Sequence, residues 1–304
     1  MRTAFIHTLI ESAKENDKIF LLTGDLGFSV FEEFIQKYPE RYFNLGVAEA
    51  NMVSVATGLS LVGFTPFVYS IASFMTLRPY EQIVRDAAQH NANVKIVGIG
   101  AGFSYSHAGP SHHAIEDIAI MRSIPNMTIL CPADPAETIW ATKEAIKTQG
   151  PVYIRLGKVG EPILFPNCGY RKVGPGVVIK EGRKICIVAT GTILKEAIDA
   201  LVMLHNKNIE PTLVYMPTMK PFDAALIKKL AKNHQIIVSL EEHRTINGLG
   251  SAVADTLASV GTTSKLVKLG IGDMFLSRPG TQTFLRKQVG INAENIVRTI
   301  KSLY

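Results

Sequence analysis

Hydrophobic and polar positions alternate along this chain in two recurring patterns. Short, continuous apolar runs predict buried strands, and longer stretches with apolar residues at helical spacing separate them. In the first half, strands are predicted at Ile19–Leu22, Thr65–Tyr69, Val94–Ile99, Met127–Leu130 and Val152–Arg155. Helices are predicted at Ala4–Lys14, Phe31–Lys37, Glu49–Leu61, Pro79–Asn91, Ala114–Met121 and Pro135–Thr148. This alternation is typical of a parallel sheet that helices cover on both faces.

The pattern stops in a segment rich in glycine and proline, which predicts a linker over residues 158–176. It then resumes with predicted strands Ile185–Ala189, Thr212–Tyr215, Ile236–Leu240 and Leu266–Leu269. The predicted helices there are Leu194–His205, Ala224–Ala231, Gly250–Val260 and Thr281–Gln288. We therefore predict an α/β protein with a parallel-sheet domain over residues 1–157 and a smaller α/β domain over residues 177–304.

Composition narrows the class of protein. Of the 304 residues, 47% are hydrophobic and 19% charged, which is typical of a well-packed globular protein. The net charge of +6 is scattered, which favours anionic small molecules such as phosphates over nucleic acid. No apolar stretch reaches 18 residues, and no signal peptide is recognisable. The widely spaced Cys131, Cys168 and Cys186 indicate reduced thiols, so we expect a cytoplasmic protein without membrane contact.

Two side chains in the first half are candidates for chemistry. Glu49 begins an otherwise apolar helix, where a carboxylate either interacts with the helix dipole or acts as an acid or base. If Glu49 is desolvated among its apolar neighbours, its pKa is expected to be raised. Phe74 falls in a predicted loop between a strand and a helix. It is either a core residue or a ring on which a ligand stacks.

Other motifs are less specific. The loop from Gly109 to His113 is either a surface turn or a ligand loop, and its adjacent histidines cannot both face one ion. We therefore predict no metal site on this chain. Two acids at a strand end, Glu241 and Glu242, are expected to form a solvated rim without a role.

Taken together and in order, the motifs identify the chain as similar to the C-terminal half of transketolases. The similarity extends from the first residues to near the end. It includes Gly46-Val-Ala-Glu-Ala-Asn-Met52, Ser73-Phe-Met75, Ala108-Gly-Pro-Ser-His-His113, Arg122-Ser-Ile-Pro-Asn126, Cys131-Pro-Ala-Asp134, Val152-Tyr-Ile-Arg155, Ala189-Thr-Gly191, Pro221-Phe-Asp223 and Glu241-Glu-His243.

The resemblance implies a thiamine diphosphate enzyme that transfers a two-carbon ketol unit. Glu49 matches the glutamate that contacts the aminopyrimidine ring of the cofactor, and Phe74 matches the aromatic residue that stacks on this ring. Further cofactor-pocket positions are matched by Tyr80 and Asp25.

The same resemblance implies substrate contacts. His112 matches a histidine that reaches the substrate or its intermediate, and Arg155 matches an arginine that binds the substrate phosphate. Arg2 and Ser29 match further phosphate contacts.

The part of the family that binds the cofactor's diphosphate through magnesium is not recognisable here. Its Gly-Asp-Gly motif is not matched by Gly24-Asp-Leu26 or by Gly272-Asp-Met274. We therefore expect a separate N-terminal, diphosphate-binding subunit that holds Mg²⁺, and an assembly containing two copies of each chain.

Two departures leave the substrate open. Ala108 and Gly100 replace an aspartate and a histidine that transketolases usually carry. The His-His pair is shared with deoxyxylulose-phosphate synthases, so an enzyme of that kind is an alternative. The beta subunit of a 2-oxoacid dehydrogenase and a non-catalytic regulatory homologue also remain open.

Overall fold

The computed structural model describes residues 1–158, 160–166, 171–276 and 279–303. Its first part contains helices and parallel strands in alternation. The strands are β1 (Ile19–Thr23), β2 (Tyr42–Asn44), β3 (Thr65–Ile71), β4 (Lys95–Ile99), β5 (Thr128–Leu130) and β6 (Val152–Leu156). The helices are α1 (Arg2–Glu15), α2 (Glu32–Lys37), α3 (Glu49–Leu61), α4 (Ala72–Leu77), α5 (Tyr80–Gln82), α6 (Asp117–Arg122) and α7 (Pro135–Lys147). A π-helical turn, Ile83–Ala88, continues α5.

The second part is built in the same way around a smaller sheet. Its strands are β7 (Val177–Lys180), β8 (Ile185–Ala189), β9 (Thr212–Tyr215), β10 (Thr218–Lys220), β11 (Ile236–Arg244) and β12 (Lys265–Ile271). Its helices are α8 (Leu194–His205), α9 (Ala224–Asn233), α10 (Leu249–Ala258), α11 (Gln282–Gln288) and α12 (Ala293–Leu303). Within the described residues, the strand order of this sheet is β12-β11-β8-β9-β7, and only the edge strand β7 runs antiparallel.

The first sheet takes one strand from the second part of the chain. In the described residues its order is β10-β5-β6-β4-β3-β1-β2, and β10 pairs with β5 antiparallel. Alternate residues of the strands enter two apolar clusters, one on each face. On β3, Val68 joins the cluster that contains Met52 of α3, whereas Phe67 and Tyr69 join the cluster that contains Phe5 of α1.

The prediction of a parallel α/β domain followed by a smaller α/β domain is confirmed. The prediction that Phe74 lies in a loop is wrong, because Phe74 lies on α4, which follows β3 directly. The short strands β2, β7 and β10 and the C-terminal helix α12 were not predicted. In the part of the chain that the structure describes, no helix is long and apolar enough to cross a membrane.

The acids at the end of β11 do not form the solvated rim that was expected, because both carboxylates are buried. Glu241 accepts hydrogen bonds from the backbone N–H groups of Leu249 and Gly250, over 2.7 and 2.8 Å, at the start of α10. Glu242 accepts from the backbone N–H of Phe103, over 2.9 Å, and pairs with Arg286. A carboxyl group can be buried when hydrogen bonds or a cation replace its water. Of the two acids, Glu242 joins the two parts of the fold through its bond from Phe103, whereas Glu241 holds the start of α10.

The thiols Cys131 and Cys186 are both buried and not in disulfides, while Cys168 lies outside the described residues. Burial raises the pKa of the Cys131 thiol to about 12. A thiol with so high a pKa is not a nucleophile at neutral pH, which agrees with a structural position.

Candidate functional site

The first turn of α3 places the carboxylate of Glu49 in an enclosed position beside the end of β3. Only 2% of the residue is exposed. The hydroxyl of Ser70 on β3 donates to Oε1 of Glu49 over 3.0 Å. Nη1 of Arg78 donates to both carboxylate oxygens, over 3.0 and 2.8 Å. Glu49 is thus an enclosed acid with its oxygens held by two donors from neighbouring elements.

The pKa of Glu49 lies below its usual value, so the expectation of a raised pKa is wrong for this structure. Burial is the largest influence and raises the pKa. The hydrogen bond from Arg78, the helix backbone N–H and the hydrogen bond from Ser70 together outweigh burial. Glu49 is therefore ionised at neutral pH as long as Arg78 stays beside it.

The ring of Phe74, on α4, contacts the same arginine that pairs with Glu49. The Cζ atom of Arg78 is 4.0 Å from the centroid of the Phe74 ring, at cation–π distance. The imidazole of His112 also meets the Phe74 ring, with centroids 4.9 Å apart and planes at 64°. The Phe74 ring therefore contacts both His112 and the arginine that pairs with Glu49.

The loop that carries His112 is fixed to α4. The hydroxyl of Ser73 donates to the backbone carbonyl of Ser111 over 3.0 Å, and Nδ1 of His112 lies 2.9 Å from the Ser111 hydroxyl. Partial burial, followed by the charge of Arg78, lowers the pKa of His112. The imidazole is therefore neutral at pH 7, with one nitrogen able to donate a proton and the other to accept one.

We call the residues Glu49, Ser70, Phe74, Arg78 and His112 the Glu49 cluster. Glu49, Phe74 and His112 were predicted from the sequence, and the structure brings all three together. Arg78 was missed, although it follows Phe74 by four residues, a spacing that places two side chains on one helical face. The cluster lies at the carboxyl end of β3, where open parallel sheets commonly bind ligands.

Asp25 lies in the loop after β1, close to the Glu49 cluster. The side-chain amide of Asn44 donates to its carboxylate over 3.3 Å. The preceding residue approaches the acid closely, since a Cβ atom at Gly24 would lie 3.9 Å from Oε1 of Glu49. Tyr80 begins α5, and its hydroxyl lies 3.0 Å from the Ser123 hydroxyl.

The hydrogen bonds of Arg2 and Ser29 lead to other parts of the fold. The backbone N–H of Arg2 donates to the carbonyl of Lys158, and that of exposed Ser29 donates to Oε1 of Glu32 over 2.6 Å. The structure thus shows no direct link between these two predicted contacts and the Glu49 cluster in the described residues.

Arg155 occupies a different environment from the one expected. Its guanidinium is buried between the two parts of the fold, where Nε donates to Oδ2 of Asp117 over 2.7 Å. Its Nη2 donates to the backbone carbonyls of Ala114 and Glu242, over 2.9 and 3.1 Å. With these donors engaged inside the protein, the geometry does not support the predicted contact with a substrate phosphate and indicates a structural ion pair.

No group of three or more potential metal ligands among histidine, cysteine, aspartate and glutamate occurs in the described residues. His113 is buried with its ring 5.1 Å from that of Phe103, whereas the ring of the neighbouring His112 contacts Phe74.

Known proteins resemble this chain in both of its parts. Residues 1–159 match the transketolase pyrimidine binding domain, and residues 174–296 match the transketolase C-terminal domain. A subunit of the apulose-4-phosphate transketolase of Actinobacillus succinogenes is 37% identical over 89% of this chain and 87% of that protein. The 1-deoxy-D-xylulose-5-phosphate synthase of Thermotoga maritima is 34% identical over 97% of this chain and 48% of the synthase.

A solved structure extends the similarity to three dimensions. A split-gene transketolase, described as an inactive beta4 tetramer, has a TM-score of 0.89 and 38% identity, covering 99% of this chain and 96% of that one. Family domains, relatives and this structure all agree on one assignment: the chain belongs to the transketolase family.

Proposed function

We propose that this chain is the C-terminal subunit of a two-chain, thiamine diphosphate-dependent transketolase. It transfers a two-carbon ketol unit between sugars or aldehydes, with phosphorylated sugars as the preferred class. The observation that carries the proposal is that one arginine, Arg78, contacts both the enclosed carboxylate of Glu49 and the ring of Phe74, at the carboxyl end of β3. We also propose that the enzyme works in the cytoplasm.

The residues of the Glu49 cluster fit the aminopyrimidine ring of the cofactor. The planar guanidinium of Arg78 donates to Glu49 and lies over Phe74. This supports the proposal that a planar hydrogen-bonding group fits between Glu49 and Phe74. When bound, the cofactor supplies the carbon nucleophile of the reaction. Glu49 would hold the shared proton at a ring nitrogen, and Phe74 would fix the plane of the ring.

His112 is the proposed residue on the substrate side. It is neutral at pH 7 and lies against the ring of Phe74, so it is suited to exchange a proton with a substrate hydroxyl or carbonyl oxygen. Asp25 and Tyr80 are proposed as further cofactor-pocket residues, and Arg2 and Ser29 as contacts of the substrate phosphate. Arg155 is left out of this proposal because its guanidinium is engaged with Asp117.

A partner chain is proposed to complete the site. The described residues contain no group that matches a magnesium site, and the cofactor's diphosphate requires oxygen ligands together with Mg²⁺. The relative from A. succinogenes is itself one subunit of a transketolase, which supports a divided enzyme. We propose an N-terminal, diphosphate-binding subunit as partner, with two copies of each chain in the assembly.

A second candidate is a deoxyxylulose-phosphate synthase-like reaction, which the 34% identity to the T. maritima synthase favours. The two reactions differ in their donor, so assays with pyruvate and with a ketose phosphate discriminate between them.

Reconstitution tests the proposal. The purified chain is mixed with a diphosphate-binding transketolase subunit, thiamine diphosphate and Mg²⁺, and ketol transfer from ketose phosphates is measured. We expect turnover only with both chains and the cofactor. Full cofactor-dependent turnover by this chain alone would refute the divided site. No turnover with any ketose or pyruvate donor would refute the proposal that the two chains form an enzyme.

A further inference from the structure

Arg78 contacts two groups of the Glu49 cluster at once. Its Nη1 donates to both oxygens of Glu49, and its Cζ lies 4.0 Å above the ring of Phe74. The side chain is also close enough to His112 for its charge to lower the pKa of that imidazole. A single guanidinium therefore covers the acid and the aromatic face together.

These are the same two surfaces that the proposed function assigns to the pyrimidine ring of the cofactor. A guanidinium is planar, donates hydrogen bonds to a carboxylate and stacks on aromatic rings. An aminopyrimidine can make the same kinds of contact. The two groups cannot occupy one space, because protein interiors leave no room for a second planar group at van der Waals distance.

We propose that Arg78 is an internal occupant of the pyrimidine subsite, which must move out before thiamine diphosphate can bind. The chain is thereby held in a cofactor-excluding state until the ring displaces the guanidinium. This inference rests on the proposed function and adds to it a control on cofactor entry.

The surroundings of Arg78 allow this movement. Its side chain is 44% exposed, so it reaches the acid from the mouth of the site and can return to water. Glu49, by contrast, is enclosed and stays in place. Among the described residues, the side chains that donate to Glu49 are the charged Arg78 and the neutral hydroxyl of Ser70, so departure of Arg78 leaves the acid with one side-chain donor.

The exchange would also change the state of Glu49. When the cation leaves, its hydrogen bond and its charge no longer lower the pKa of this carboxyl, so the pKa rises while burial still opposes the charged form. An acid that is locked as an anion beside Arg78 would become one that shares a proton with its new partner. The arginine would therefore hold the acid as an anion until the ring of the cofactor takes its place.

Binding of the pyrimidine half of the cofactor tests the proposal without any turnover. Calorimetric titration with 4-amino-5-hydroxymethyl-2-methylpyrimidine is compared for the full-length wild-type chain, Arg78→Ala and Arg78→Lys. We expect Arg78→Ala to bind at least about tenfold more tightly than wild type, because the competing ion pair and ring contact are gone. Arg78→Lys keeps the positive charge but not the planar guanidinium, so its affinity for the pyrimidine is expected to lie between those of wild type and Arg78→Ala.

Two controls keep the test specific. Arg85→Ala removes an exposed arginine from the π-helical turn and is expected to bind like wild type. Added ethylguanidinium is expected to weaken pyrimidine binding to Arg78→Ala and to leave pyrimidine binding to wild type unchanged. Such competition would also show that the variant is folded.

Equal affinity of wild type and Arg78→Ala, including absence of binding in both, would overturn the proposal. So would a failure of ethylguanidinium to compete. These outcomes are distinct from failure of the proposed function, which appears as unchanged turnover when Glu49 is replaced in the two-chain enzyme.

Discussion

The Nε atom of Arg155 lies 2.7 Å from Oδ2 of Asp117, and both side chains are enclosed where the two parts of the fold meet. The hydroxyl of Tyr153 donates to the same carboxylate oxygen over 2.7 Å. Burial raises the pKa of Asp117, but the charge of Arg155 and the hydrogen bonds outweigh it, so the pKa lies below its usual value. The pair is ionised, and each charge depends on the other.

Replacement of Asp117 by Ala is expected to lower the free energy of unfolding by about 3–5 kcal/mol, because it leaves the Arg155 charge buried without its partner. The double variant Asp117→Leu with Arg155→Met is expected to recover most of that loss, since a buried ion pair can often be replaced by apolar side chains. Urea denaturation of the purified chain measures both. A loss below about 1 kcal/mol in the single variant would contradict the structural role and return Arg155 to the candidate substrate contacts.

The burial of His243 is expected to make the stability of the protein depend on pH. Its Nδ1 is placed to donate to the carbonyl of Arg244 over 2.8 Å, while Nε2 accepts from the backbone N–H of Ala119 over 3.2 Å. Burial lowers the pKa of His243 to about 4, so the folded protein holds it neutral. An unfolded histidine takes up a proton near pH 6.5, so this residue reduces stability as the pH falls from about 6.5 towards 4.

The variant His243→Gln, which keeps one donor and one acceptor, should therefore gain stability relative to wild type when the pH falls from about 7.5 to about 5. The expected relative gain is about 2 kcal/mol. The neighbouring Glu241 has the opposite effect on stability. Burial raises its pKa to about 7, so the folded protein binds this proton at a higher pH than the unfolded chain, and stability increases as the pH falls. Both proteins contain Glu241. Urea unfolding at the two pH values measures the free energy of unfolding of both proteins. If the difference between them is the same at both pH values, His243 is not held neutral in the fold.

Phe74 is expected to determine how tightly the cofactor is held. Phe74→Ala removes the aromatic face and should weaken thiamine diphosphate binding to the two-chain enzyme by about tenfold, while Phe74→Tyr, which keeps the ring, should bind normally. Calorimetry of the reconstituted enzyme measures both affinities. Equal cofactor affinity in Phe74→Ala and wild type would show that the ring has only a packing role.

The sequence was a good guide to the layers of the fold, because buried parallel strands are continuous apolar runs that differ plainly from amphipathic helices. The short elements escaped it for physical reasons. Strand β10 carries few residues, and its partner β5 is distant in sequence, so no local pattern marks it. Helix α4 was missed because its six residues, Ala72–Leu77, are too few to show helical periodicity.

The site was partly predictable for the same kind of reason. Glu49, Phe74 and His112 lie in motifs that resemble a known family, whereas the state of each group depends on neighbours from other elements. The lowered pKa of Glu49 comes from Arg78 and Ser70, and the burial of Arg155 comes from Asp117 and the carbonyl of Glu242. Distances between such groups are set by tertiary packing, which composition and spacing do not contain.

The most direct measurement of the central claim is the turnover of the two-chain enzyme with Glu49→Gln in this subunit. The glutamine keeps the shape of the side chain but cannot share a proton with the pyrimidine ring, so we predict a fall in kcat of about 10²- to 10⁴-fold. Glu40→Gln, a change at an exposed acid, should leave kcat as in wild type. Unchanged turnover in Glu49→Gln would contradict the account, because the acid of the Glu49 cluster would then have no part in the chemistry.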